Sequence, residues 1–296
     1  MLKLLYFSLI DIVSGVFIFS IEYIIFLIFI GVFAGISSGL LGLGGGFLMV
    51  PLQYFLLTSI GVDSDLALRI SLGTSLAIII PTSLSGAYTH QHRLENILKP
   101  GVTLGIFGII GGILGGITSS YLPYNILSNI LGIFLILIAI TMLFERNNKN
   151  GFFGFKKIKL SLYIGAFFGI LVGFSSGLLG IGGGIFLIPI LVFLLGFSMK
   201  EAIGISSIFI SLTAIGGAAS YILTGWGINS FPFSLGYISL VNLGIIAIFS
   251  IPAAYIGAKL VYKIPEKRLK QIFGIIMIYM GIKMLGLDPI SYLLGI

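Results

Sequence analysis

The sequence predicts an all-α integral membrane protein built from two inverted repeats of about five transmembrane helices, each with a glycine-rich helix break. Of the 296 residues, 58% are hydrophobic and only 8% are charged, whereas a soluble domain carries about 25% charged residues. The apolar residues form continuous blocks, most of them long enough to cross a bilayer, which takes a helix of about 20 residues. The two halves of the chain also repeat each other's sequence.

The apolar blocks fall into two sets of five, joined by a polar, basic linker at residues 145–159. The second block of each set is short, and the sequence leaves open whether it spans the membrane fully. We predict repeats at 21–144 and 160–286, an accessory helix at 1–20 that is either interfacial or an extra span, and a tail at 287–296. The approximate blocks are 21–43, 46–60, 68–89, 100–121 and 124–144 in the first repeat, and 160–181, 184–197, 202–224, 234–261 and 269–286 in the second.

The internal repeat is clearest around two glycine-rich segments. Residues 35–57 and 173–195 are identical at 14 of 23 positions, at an offset of 138. In the next block Gly73 aligns with Gly204, at an offset of 131, because a loop is longer in the first half. Internal repeats with inverted topology are common in secondary transporters.

The distribution of Lys and Arg gives the predicted orientation. If each block crosses the membrane once, thirteen of these 16 residues fall on one side and three on the other. Positive residues are enriched in cytoplasmic loops, so we predict that the linker at 145–159 is cytoplasmic. Because five crossings is an odd number, the two repeats would then lie in opposite orientations, which is the inverted arrangement.

The composition argues against several other functions. With no cysteine, two histidines and nine carboxylates, the chain offers no thiolate site and no evident catalytic cluster, and we expect no metal and no cofactor. The net charge of +7 comes from short loops between apolar blocks, so it indicates membrane topology and not a nucleic-acid partner. The GLGGG of Gly42–Gly46 lacks the Lys-Ser/Thr of a P-loop, and ATP-driven transport by this chain alone is not expected.

The pair of glycine-rich segments is the feature most informative about function. Gly42–Gly46 reads GLGGG and Gly180–Gly184 reads GIGGG, and each follows a serine pair and precedes a proline. Glycine is about 1 kcal/mol less favourable than alanine in a helix, so each segment predicts a helix break. A helix that restarts after the break has free N–H groups, which suit an anion. Close packing of small residues is the alternative, and it is our interpretation of the glycines between Gly108 and Gly116.

Polar residues near the breaks complete the candidate site. Thr74 and Ser75 lie in the third block, where the second half has Ile205 in place of Thr74. Gln53 lies inside a short apolar block and its counterpart is Leu191. We expect the anion to be bound mainly by backbone N–H groups, because a lone charge inside the membrane is costly. The candidate substrate-binding residues are Ser37, Ser38, Gly44, Gly45, Gly46, Gln53, Thr74, Ser75, Ser175, Ser176, Gly182, Gly183, Gly184, Ser206 and Ser207.

The paired motifs resemble the sulfite exporter TauE/SafE family of membrane permeases. The resemblance rests on the two glycine segments, each running into a proline-bearing apolar stretch, and on the Gly-Thr-Ser at 73–75, and it covers about 22–286. It implies a multi-pass permease of the cytoplasmic membrane for small anions, often sulfur oxyanions or organosulfonates. We therefore expect a secondary transporter whose partners are a small anion, the lipid bilayer and a coupling proton or other ion. An anion channel or an intramembrane enzyme remains an alternative, and the substrate, the direction of transport and the oligomeric state stay open.

The predicted topology can be tested by labelling, because the chain has no cysteine of its own. Single cysteines at Asn148 and Asn229 should react with a membrane-impermeant maleimide from opposite sides of the membrane, because three apolar blocks, an odd number of crossings, lie between the two positions. Labelling of both positions from one side would contradict the arrangement.

Overall fold

The computed structural model describes residues 20–91, 94, 97–144, 161–227, 231–260 and 266–287. The described part is almost entirely helical, which confirms the predicted all-α membrane fold, and six of its helices are long and apolar enough to cross a bilayer. The residues predicted to form the cytoplasmic linker, both labelling sites, and nearly all of the accessory helix and of the C-terminal tail lie outside the described residues.

Each half of the chain contributes five helical segments. Those of the first half are α1 Ile21–Leu41, α2 Gly46–Ser59, α3 Ser64–Gln91, α4 Leu98–Tyr121 and α5 Tyr124–Phe144. Those of the second half are α6 Leu162–Leu179, α7 Gly184–Pro189 with a π-helical continuation at Ile190–Leu194, α8 Met199–Thr224, α9 Leu240–Leu260 and α10 Glu266–Met284. Between α8 and α9, the strands β1 Ser234–Leu235 and β2 Ile238–Ser239 pair antiparallel with Leu235 opposite Ile238.

The second helical segment of each half is short. With 14 residues, α2 is about 21 Å long at 1.5 Å per residue, which is less than the hydrocarbon core of about 30 Å. The α-helical part of α7 has only 6 residues and ends at Pro189. A π-turn follows, in which the Leu195 N–H donates to the Ile190 carbonyl at 3.1 Å. Neither segment therefore crosses a bilayer by itself as a straight helix.

The packing of the helices is the same when the two halves are exchanged. The first helix of each half packs on the fourth helix of the other half, so that α1 contacts α9 and α6 contacts α4. The third helix of each half packs on both the third and the fourth helix of the other, and α5 packs on α10. The two halves are thus interleaved, and the main helix contacts run between them.

Small residues allow this interleaving because the backbones touch. A Cβ added at Gly39 of α1 would meet the Ala254 carbonyl oxygen of α9, and a Cβ added at Gly177 of α6 would meet the Gly112 carbonyl oxygen of α4. Gly39 and Gly177 are equivalent positions of the repeat. The contacts of Gly108, Gly111, Gly112, Gly115 and Gly116 with α6 and α8 confirm that the glycines of α4 serve helix packing.

The helices run in two opposite directions. Residue numbers rise together where Gly31, Gly35 and Gly39 of α1 meet residues 246–258 of α9, and the same holds for α6 on α4. The start of α3 lies at the end of α4, because Arg69 donates to the carbonyls of Ser119, Ser120 and Leu122. Thr82 and Ser85 bond to residues 250 and 251 of α9, so α3 runs with α9 and α1. The first helices of the two halves are therefore antiparallel; that the halves form an inverted repeat across a bilayer stays a prediction.

The close helix contacts predict a position-dependent effect of adding one methyl group. Gly177→Ala should lower the free energy of unfolding by about 1–3 kcal/mol, because the added Cβ overlaps the Gly112 carbonyl and the helices must separate. Gly244→Ala is the control, since nothing lies within 4 Å of its added Cβ. Thermal unfolding of both variants in detergent measures the effect, and equal unfolding temperatures would contradict it.

Candidate functional site

The two glycine segments, Gly42–Gly46 and Gly180–Gly184, have matching backbone conformations. Gly42 and Gly180 end α1 and α6 in the left-handed region, with φ of 64° and 66°. The preceding turn is closed at 2.9 Å in both cases, by the Gly42 N–H to the Ser38 carbonyl and by the Gly180 N–H to the Ser176 carbonyl. The predicted helix breaks are thus present in both halves and have the same geometry.

Two further glycines of each segment also have positive φ. Gly44 and Gly45 have φ of 80° and 74°, and Gly182 and Gly183 have φ of 93° and 78°. L-residues with a side chain rarely adopt this conformation, which explains why the sequence repeats glycine here. Gly45 and Gly183 cap α2 and α7 without a side-chain hydrogen bond.

The two segments lie directly against each other. A Cβ added at Gly46 would lie 2.8 Å from the Gly180 carbonyl oxygen, and a Cβ added at Gly184 would lie 2.6 Å from the Gly42 carbonyl oxygen. All ten residues are buried. We call this place, formed by Gly42–Gly46 and Gly180–Gly184, the glycine crossing. It joins the starts of α2 and α7 at the contact between the two halves.

Two serines hold the glycine crossing together from the opposite half. Ser75 of α3 donates its hydroxyl to the Gly180 carbonyl at 2.9 Å, and Ser206 of α8 donates its hydroxyl to the Gly42 carbonyl. Both serines are fully buried. Each bond satisfies a carbonyl at the C-terminal end of a helix, where intrahelical donors are missing. Both serines were candidate site residues in the sequence. In the structure, each donates a hydrogen bond to the glycine segment of the other half.

Two isoleucines cover the glycine crossing, and the sequence analysis did not identify them. A Cβ added at Gly44 or at Gly182 would meet both Ile79 of α3 and Ile210 of α8, at 2.9 to 3.6 Å. Both isoleucines are fully buried. They occupy equivalent positions of the repeat, at the offset of 131 that relates Ser75 to Ser206. That shared offset is the signal that could have identified them.

Several backbone donors at the glycine crossing have no hydrogen-bond partner among the described residues. Within the described residues, no hydrogen bond is made by the N–H groups of residues 44–46 or of residues 182–184, although all six are buried. The hydroxyl of Ser176 is buried and also has no partner there. A Cβ added at Gly183 would lie 3.1 Å from the Ser176 Cβ, and one added at Gly45 would lie 3.4 Å from the Ser38 Cβ. Buried donors of this kind are rarely left unpaired in proteins.

Three of the other predicted serines bond within their own helices. Ser37 donates to the Ala34 carbonyl at 2.8 Å, Ser175 to the Leu171 carbonyl at 3.2 Å, and Ser207 to the Ile203 carbonyl at 2.9 Å. Such bonds are common for serine in membrane helices. In each serine pair, the second serine lies beside the glycine crossing. These serines are Ser38 and Ser176. A role of the other three in substrate binding stays a prediction.

Gln53 and Thr74 lie in a separate polar group. The Asn242 amide donates to the Gln53 side-chain oxygen at 3.4 Å, and the Tyr23 hydroxyl donates to the Asn242 side-chain oxygen at 2.7 Å. The Thr74 hydroxyl accepts from the Ser239 N–H at 2.9 Å. Sequence reasoning missed Tyr23, Asn242 and Ser239, although a polar residue within an apolar block was the signal that drew attention to Gln53.

Comparison with known proteins identifies a matching family. The family profile described as sulfite exporter TauE/SafE matches residues 27–284, nearly the whole described chain.

The chain belongs to the sulfite exporter TauE/SafE family.

The curated relatives of this TauE/SafE protein are named as transporters. A probable membrane transporter protein of Methanocaldococcus jannaschii is 33% identical over 88% of this chain and 94% of its own length. A probable membrane transporter protein of Haemophilus influenzae is 34% identical over 88% of this chain and 98% of its own length. No solved structure matches. The protein is therefore a multi-pass membrane transporter, whose substrate the comparisons leave open.

The one buried cation among the described residues of this TauE/SafE protein, Arg69, makes its hydrogen bonds to groups outside the glycine crossing. The Arg69 guanidinium pairs with Asp65 at 2.9 Å, and its other nitrogens donate to three carbonyls at the end of α4. A cation at the C-terminal end of a helix is favourable because it complements the helix dipole. Arg69 therefore fixes α3 to α4, and four of its five N–H groups donate to protein acceptors.

The bonds from Ser75 and Ser206 predict paired effects on stability. Ser75→Ala and Ser206→Ala should each lower the free energy of unfolding by about 1–3 kcal/mol, because each leaves a buried carbonyl of the opposite segment unpaired. Ser211→Ala is the matched control, since its buried hydroxyl donates only to the Ile208 carbonyl of its own helix. Thermal unfolding in detergent compares the three. If the control lost as much stability as the other two, the bonds between the halves would have no special role.

Proposed function

We propose that this protein is a secondary transporter or permease that moves a small anion, such as sulfite, an organosulfonate or a related oxyanion, across the cytoplasmic membrane. The observation that carries the proposal is the set of six buried N–H groups at the glycine crossing, which have no hydrogen-bond partner in the part of the chain that the structure describes. Donors in this state require an acceptor, and successive N–H groups in left-handed and turn conformations form concavities that suit anions. The family name supports a sulfur oxyanion, and the names of the relatives support transport.

The two halves would contribute equally to the anion site. Each supplies three N–H groups, at residues 44–46 and 182–184, and one serine hydroxyl, Ser38 or Ser176. The start of α2 adds the partial positive charge of a helix N-terminus. All of these donors are uncharged. They replace part of the hydration of the anion without the permanent charge that would hold it in place, and release on the other side remains easy.

Ile79 and Ile210 would act as the barrier in this mechanism. They lie on both glycine segments at once, so the anion reaches the donors only when these side chains move aside. In transporters with inverted repeats, one half moves against the other and opens the site to each side in turn. The interleaved contacts of α3 and α8 place both isoleucines on helices that touch both halves. A proton or another ion would supply the driving force.

Two alternative functions make different predictions. An anion channel would show flux that rises without saturation as the anion concentration increases, whereas a carrier saturates. An intramembrane enzyme would need a base beside a nucleophile. In the part of the chain that the structure describes, the side-chain hydrogen bonds at the glycine crossing come only from serines and end on backbone carbonyls. This arrangement favours binding over catalysis.

Uptake by proteoliposomes tests the proposed function. The purified protein is reconstituted into phospholipid vesicles, and entry of radiolabelled sulfite, sulfate, methanesulfonate and acetate is measured with and without a proton gradient. We expect saturable uptake of at least one sulfur oxyanion, well above that of protein-free vesicles. Entry of none of the four anions above the protein-free level would overturn the proposal, and uptake linear in concentration would favour a channel.

Serine variants test the site itself. Ser38→Ala combined with Ser176→Ala should raise the KM for the transported anion about tenfold, because two hydrogen bonds of about 0.5–1.5 kcal/mol each are lost. Ser211→Ala serves again as the control and should leave the KM unchanged. Valine at Gly45 or Gly183 is a poorer test, because φ of 74° and 78° strains any side chain and would impair folding together with transport. An unchanged KM in the double variant would exclude these hydroxyls from the site.

A further inference from the structure

A second group of buried polar side chains occurs on one side of the glycine crossing only. We call it the Gln53 cluster, and it consists of Tyr23, Gln53, Thr74, Ser239 and Asn242. Each of the five side chains is at most 2% exposed. Their hydrogen bonds connect α1, α2 and α3 with the end of β2 and the first turn of α9.

Several hydrogen-bond donors of the Gln53 cluster have no acceptor among the described residues. The side-chain oxygens of Gln53 and Asn242 already accept bonds, from Asn242 and from Tyr23. Among the described residues, the Gln53 Nε2 has no partner. The hydroxyls of Thr74 and Ser239 accept from backbone N–H groups, and neither has a protein acceptor for its own proton there. An amide N–H₂ and two hydroxyl protons are thus left to donate.

These donors favour a ligand that accepts hydrogen bonds. A water molecule could accept two of these bonds, but it would also have to place two protons of its own. A sulfur oxyanion carries several acceptor oxygens around one centre, so it can accept from the amide and from both hydroxyls, which are uncharged donors. Positively charged ligands prefer a set of free oxygens, whereas the atom without a partner among the described residues of the cluster is the Gln53 Nε2.

The position of the cluster relates it to the glycine crossing. Gln53 follows Gly46 by seven residues along α2, which is about 10 Å at 1.5 Å per residue. Tyr23 and Asn242 lie in the first turns of α1 and α9, so the cluster lies toward the side on which α1, α3 and α9 begin.

The equivalent place in the other half is apolar. At the offsets of 138 and 131, the counterparts of Gln53 and Thr74 are Leu191 and Ile205, which are both fully buried. Asn242 corresponds to Pro100, because the contacts of Gly39 with Ala254 and of Gly177 with Gly112 relate α9 to α4 at an offset of 142. The polar group is therefore present once in a structure whose glycine segments are present twice.

We propose that the Gln53 cluster is a second binding subsite for the oxygens of a small oxyanion, on one side of the glycine crossing only. The inference rests on the proposed function, since it places the transported anion about 10 Å from the first site along α2. The Gln53 Nε2 and the hydroxyls of Thr74 and Ser239 supply the donors. The subsite makes the affinity for the anion differ between the two sides of the membrane.

The test compares Gln53→Leu and Thr74→Val, which introduce side chains like those of the apolar half, with Thr82→Val. Thr82 is the matched control, because its buried hydroxyl lies on the same helix as Thr74 and bonds to Ile78 and Ser250 outside the cluster. Uptake of radiolabelled sulfite, sulfate and methanesulfonate is measured in proteoliposomes together with thermal unfolding. We expect the first two variants to raise the KM about threefold to tenfold for each donor lost, and Thr82→Val to leave it unchanged.

A conservative variant separates binding from structure. Thr74→Ser keeps the hydroxyl and should retain the wild-type KM. If Gln53→Leu fails to fold, the comparison of Thr74→Ser with Thr74→Val still tests the subsite. A KM unchanged in Thr74→Val, or raised equally in Thr82→Val, would overturn the subsite while leaving the glycine crossing as the anion site. If the wild-type protein takes up none of the three anions, the proposed function fails, and the subsite with it.

Discussion

The contact between the two glycine segments is the constraint on which the rest of the structure depends. Gly46 touches the Gly180 carbonyl and Gly184 touches the Gly42 carbonyl, and no side chain fits between them. Because each segment is broken, its carbonyls and N–H groups lose their helical partners. Ser75 and Ser206, each from the opposite half, donate hydrogen bonds to the Gly180 and Gly42 carbonyls. The N–H groups of residues 44–46 and 182–184 have no hydrogen-bond partner among the described residues. The contact between the two segments therefore joins the halves at a place where α1 and α6 end and α2 and α7 begin, and it leaves hydrogen-bond donors there.

Uncharged donors suit a transporter better than a buried cation would. A lysine or arginine in the membrane interior is costly without a partner, and a strong charge would slow the release of an anion. The one buried cation among the described residues, Arg69, is neutralised by Asp65 and held by carbonyls at the end of α4. Its charge fixes two helices to each other, whereas backbone dipoles remain for the substrate.

The backbone follows the repeat more closely than the side chains do. The glycine φ angles agree between halves to within 13°, and helix contacts are the same after exchange of the halves. The counterparts of Thr74 and Gln53 in the second half, however, are the apolar residues Ile205 and Leu191. Close backbone contacts and positive φ require glycine at these positions in both halves. No such steric restriction applies to the positions of Thr74 and Gln53, so their side chains can differ between the halves.

The sequence by itself determined the membrane class, the helical segments, the repeat and the two breaks, because hydropathy, block length and glycine content act locally along the chain. It also identified Ser75 and Ser206 as candidate residues, since both follow the repeat, and the structure shows both bonded to the glycine crossing. It did not reveal Ile79 and Ile210 as the cover, nor Asn242 as the partner of Gln53, because residues 189 positions apart meet only after the halves interleave. Which buried donors keep a partner was decided by the tertiary structure alone, since a hydrogen bond depends on distances between helices that no local pattern encodes.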